Sequence, residues 1–72
     1  MMEKGTVKWY SEEKGWGFLR RSGGPDVFVH VRHVLDQAPL AAGEWVSFEV
    51  RVTPRGLAAF NVRRDFGAQD GA

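Results

Sequence analysis

Large flat side chains recur at alternate positions in two short segments. Trp16 and Phe18 lie two residues apart in Lys14-Gly15-Trp16-Gly17-Phe18-Leu19, and Phe28 and His30 lie two apart in Val27-Phe28-Val29-His30-Val31. Read as strands, each segment carries rings on one face and small or aliphatic groups on the other. A strand in a small protein has one inside and one outside. The valines Val27, Val29 and Val31 fit the inside, so Phe28 and His30 point to water. Exposed rings grouped on a sheet, with lysine and arginine nearby, match what stacking on unpaired nucleobases requires.

These rings need a frame, and the chain offers a small one. Its 72 residues suffice for one domain with a marginal but workable core. There is no cysteine, which excludes disulfides and thiolate metal sites. The net charge of +1 hides an asymmetry. Asp65 and Asp70 fall in the last eight residues, so residues 1–64 hold ten Lys and Arg against seven acids, a balance of +3. That is a mildly basic body rather than the strongly basic footprint of a protein relying on phosphate contacts alone. Met1-Met2-Glu3-Lys4 leads straight into a strand-like run without an apolar leader core, and no apolar stretch approaches membrane-spanning length. The expectation is a soluble cytoplasmic protein.

Turn signals recur at short intervals, and no long stretch has a helical period. Five strands are predicted: Gly5 to Tyr10, Gly15 to Arg21, Asp26 to His30, Glu44 to Val52 and Leu57 to Arg64. The breakers between them are Ser11-Glu12-Glu13-Lys14, Ser22-Gly23-Gly24-Pro25-Asp26, Ala41-Ala42-Gly43 and Thr53-Pro54-Arg55-Gly56. A single helical turn fits Val31 to Leu35. The fourth strand alternates most cleanly: Val46, Phe48, Val50 and Val52 face one way, and Trp45, Ser47, Glu49 and Arg51 the other. Five short strands suggest an all-β barrel, since closure removes exposed edges. Val7 and Trp9 share parity, yet Val7 suits the core and Trp9 the outside. A bulge in the first strand reconciles them. The barrel is expected to span residues 1–66, with 67–72 as a flexible tail and fraying from Asp65 onward.

In its motifs the chain resembles a bacterial cold-shock protein. Lys8-Trp9-Tyr10 resembles the family's K-W-F, Lys14 to Leu19 its first RNP motif and Val27-Phe28-Val29-His30 its second. Gly43-Glu44-Trp45-Val46-Ser47-Phe48 resembles its G-x-x-V-x-F, and Asn61-Val62 its A-x-N-V. The resemblance runs from Gly5 to Arg64 and implies a five-stranded antiparallel OB-type barrel that binds single-stranded RNA and DNA. It implies a stacking platform of Trp9, Trp16, Phe18, Phe28 and His30, contacts from Lys8 and Lys14, and a base-edge acceptor at Asp26. It also implies a passive RNA chaperone that influences transcription and translation under cold or other stress. Three positions depart from the pattern. Val31 stands where the family has an aromatic, the Leu35 to Pro39 loop is shorter and holds no ring, and Gly56-Leu57 replaces G-P. Up to two of the family's stacking sites are thereby lost, each worth roughly 1–3 kcal/mol. Tyr10, Trp45 and Phe60 are candidates to compensate.

Each assignment has a plainer competitor. Trp16, Phe18 and Phe28 would be core in many small proteins, but nine aromatics and the aliphatics together exceed so small an interior. His30 and His33 as metal ligands lack a third partner. His33 reads as a solvated loop residue. Asp26 either caps the turn after Pro25 or meets a base. Arg32, Arg55, Arg63 and Arg64 either track phosphates or solubilise strand ends. Ser11, Ser22 and Ser47 have no evident catalytic partners and no P-loop is present, so no enzyme, cofactor or small-molecule substrate is expected. The competing function is a protein-interaction or self-associating barrel that uses the same rings. A monomer is expected, with a dimer conceivable.

Overall fold

The computed structural model describes residues 2–65. Strands β1 (Glu3–Ser11), β2 (Trp16–Arg21), β3 (Val27–His30), β4 (Trp45–Thr53) and β5 (Gly56–Arg64) form a closed barrel in the order β1-β2-β3-β5-β4, with β4 returning to β1. A 3-10 turn at Val31–His33 follows β3. Pairings are antiparallel except where β3 meets β5, in a parallel contact of Phe28 with Ala58. The predicted tail 67–72 lies outside the described residues.

The expected bulge in β1 is present. Val7 pairs with Leu19 and Trp9 with Phe18, so Lys8 is the extra residue. One inserted residue reverses the side-chain parity. Val7 therefore enters the core at 2% exposure, whereas Trp9 stays 40% exposed. Val7 still satisfies its backbone, donating to the Glu44 carbonyl at 2.9 Å and accepting from Gly43 at 2.7 Å.

The core is built from Val7, Leu19, Val27, Val29, Val34, Leu40, Val46, Phe48, Ala59 and Val62. Val27 and Val29 of β3 are fully buried, as the period-two reading requires, whereas Val31 has left the strand for the 3-10 turn and is only half-buried. Two expectations for β4 fail. Val52 is 83% exposed, because it pairs with Leu57 beside the Thr53–Gly56 turn, past the core layers. Ser47 is buried rather than outward, and its hydroxyl donates to Asp65 at 2.6 Å. Asp65 does not fray: its N–H also donates to the Trp45 carbonyl at 3.0 Å.

The segment between β3 and β4 is pinned to β5. Val34 is buried and bridges Val62, and the Leu35 N–H donates to the Val62 carbonyl at 2.8 Å. Arg64 holds the remainder. It bonds Glu44 at 2.6 Å, Asp36 at 3.0 Å and the Pro39 carbonyl at 3.1 Å. The Glu44 bond first, then the Asp36 bond, pushes the Arg64 pKa up. Arg64 is thus a structural clamp rather than a phosphate contact.

Candidate nucleic-acid interface

The outward rings of β1, β2 and β3 converge into one cluster. Trp16 pairs across the sheet with His30, and Phe18 with Phe28. Trp9 reaches the same surface because of the bulge. Ring centres lie 5.2 Å apart for Trp9 and Trp16, 5.6 Å for Trp9 and Phe18, 5.7 Å for Trp16 and Phe28, and 5.8 Å for Phe18 and Phe28. Edge-to-face and tilted packing dominates, as the ring quadrupole favours. The rings hold one another in place while part of each remains open to solvent.

Gly17 makes this approach possible. It is buried between Trp16 and Phe18, and a Cβ there would collide with the Trp9 carbonyl and lie 2.7 Å from the Tyr10 Cα. Only a residue without a side chain lets β1 and β2 close to this distance beneath the rings. Gly15 has φ +78°, a conformation that favours glycine. Its carbonyl accepts from the Val31 N–H at 2.8 Å, tying the β1–β2 turn to the end of β3.

The polar candidates divide. Lys14 is exposed with its Nζ 5.9 Å from the Trp16 ring centre. Arg55 is exposed at the β4–β5 turn. Lys8 and Asp26 are joined to each other in an ion pair of 2.9 Å beside the cluster. His30 stands on the ring face of β3, and its Nδ1 accepts the Arg32 N–H at 3.0 Å. That bond caps the 3-10 turn and leaves Nε2 as the protonated nitrogen of the neutral ring.

Several residues differ from their sequence reading. Tyr10 packs against the core, where burial and then Glu12 push its phenol pKa up. Trp45 stands apart from the cluster, in a shallow groove of about 280 Å³ with Lys4, Thr6, Arg20 and Arg21. His33 is not a solvated loop residue. Its ring lies 4.2 Å from that of Phe60. Burial, followed by repulsion from His30, Arg32 and Arg51, lowers its pKa. No sequence period marks His33, because it sits on an irregular turn.

A family model for the "cold-shock" DNA-binding domain matches residues 3–65. The chain belongs to the cold-shock domain family. This cold-shock domain is 46% identical over 65 residues to the cold shock protein CspC of Bacillus subtilis (strain 168), covering 88% of this chain and 98% of that protein. It is 51% identical over 61 residues to the cold shock-like protein CspA of Shewanella violacea, covering 81% and 87% respectively. Among solved structures it is similar to the Drosophila Unr fragment CSD456, with a TM-score of 0.75 and 28% identity. That match covers 90% of this cold-shock domain and 27% of the longer Unr chain.

Proposed function

We propose that this cold-shock domain binds single-stranded RNA and DNA by stacking bases on Trp9, Trp16, Phe18, Phe28 and His30. The observation that carries the reading is the continuous, half-open cluster of Trp9, Trp16, Phe18 and Phe28 over a core already filled by valines. Every base has a π-face, so such a platform binds with little sequence preference. Lys14 and Arg55 supply positive charge beside it. Lys8 and Asp26 are proposed to trade their mutual ion pair for a phosphate and a base edge when a strand arrives.

The activity is that of a passive nucleic-acid chaperone. The protein captures open strands and so shifts the equilibrium away from base-paired structure. This is binding rather than catalysis, and we place it in the cytoplasm, where it would act on transcripts and their translation under cold or other stress.

Replacing Phe28 tests the platform. Phe28→Ala is expected to weaken oligothymidine binding by roughly 1–3 kcal/mol while circular dichroism shows the barrel intact. Unchanged affinity would remove the platform from the account.

A further inference from the structure

A second aromatic pair lies beside the platform, and a second bulge puts it there. On β5, Phe60 and Val62 share parity, yet Val62 is fully buried and Phe60 is not. The β4–β5 register slips between the Ser47–Arg63 and Glu49–Phe60 pairs. Asn61, between Phe60 and Val62, has φ +54°. Its amide donates to Glu49 at 3.2 Å, and Glu49 also accepts from Arg51 at 2.9 Å. The slip reverses the strand's facing, so Phe60 turns outward. There the Arg51 guanidinium lies 4.7 Å from its ring centre and the His33 ring 4.2 Å away.

The pair is preorganised. His33 is carried by the turn that Val34 and Leu35 fix onto Val62, on the same strand as Phe60. A groove of about 410 Å³ brings His33 and Phe60 together with Phe18 and Phe28 of the platform. Its floor includes Ala58, the partner of Phe28, whose methyl leaves the space open. Asp26 and Arg55 also line it, offering an acceptor and a cation to a base edge or phosphate. The volume falls within the ~300–1,000 Å³ usual for small-ligand sites.

We propose that His33 and Phe60 form a second stacking wall, on which one further nucleobase of the bound strand rests in the groove beside Phe28. The wall makes up for the rings missing at Val31 and in the Leu35–Pro39 loop. It rests on the platform reading above, because the same strand must span both.

The test compares trithymidylate and heptathymidylate binding to the wild-type protein, Phe60→Ala and Phe28→Ala. The short tract is occupied by the platform alone, whereas the long one reaches the groove. Phe60→Ala is expected to weaken the long tract about five- to tenfold and leave the short tract within about twofold. Phe60→Leu keeps apolar bulk without a flat face and is expected to repeat the loss if the alanine variant does not fold. Wild-type affinity of the folded leucine or alanine variant for the long tract would overturn the wall. So would equal losses for both lengths. Phe28→Ala separates the two ideas: it must weaken both tracts, and if it weakens neither, the platform itself fails and the wall with it.

Discussion

His33 is the residue whose protonation the fold opposes. In the unfolded chain it takes up a proton near its ordinary pKa of about 6.5. In the folded chain, burial against Phe60 and the nearby cations hold it neutral to lower pH. Between the two values the unfolded state binds more protons, so acidification costs stability. The contribution is whole above the unfolded pKa and is lost as pH falls through the folded one. The urea midpoint is expected to drop between about pH 7.5 and pH 5.5, and His33→Gln should flatten part of that drop. An identical pH profile for the variant would contradict the packing assigned to His33. Val31 gives a second residue-level prediction. It begins the 3-10 turn beside His30 and is only half-buried. Val31→Phe is expected to add a ring and tighten oligothymidine binding by roughly 1 kcal/mol or more. No gain in a folded variant would mean that the strand does not pass there.

Among the elements, β1 and β2 meet under the platform at Gly17. Gly17→Ala forces a methyl into the Trp9 carbonyl and is expected to destabilise the barrel by about 1–3 kcal/mol, read as a lower melting temperature. An unchanged melting temperature would mean that the bulge relaxes freely. Strand identity and order of rings were legible in the sequence because β2 and β3 alternate cleanly. The β1 bulge was legible too, since Val7 and Trp9 have incompatible environments at one parity. The β5 bulge was not. Phe60 was a candidate for the binding face and Val62 suited the interior, but nothing in the sequence showed that the one residue between them, Asn61, reverses the strand's facing. Val52 was misread for the complementary reason: its parity is that of Phe48, but alternation does not reveal where the core ends along a hairpin. Arg64 looked like a surface charge because its partners Asp36 and Glu44 are 28 and 20 residues away.

For the whole molecule, the barrel spends its aliphatics inside and most of its rings outside, with a charge too small to hold nucleic acid by phosphate contacts alone. Stacking must then supply much of the affinity, with a light electrostatic share that suits fast capture and release. Lys14 and Arg55 have no ion pair among the described residues, whereas Lys8 is engaged with Asp26. The most direct measurement follows tryptophan fluorescence while oligothymidine is added at several salt concentrations. Bases stacking on Trp9 and Trp16 should quench the emission saturably. A plot of log affinity against log salt should have a slope of about −1.4 if Lys14 and Arg55 alone engage phosphates, and about −2.1 if Lys8 leaves Asp26 to join them. A folded protein that shows no quenching, or binding indifferent to salt, would contradict the account and point to an apolar protein partner on the same rings.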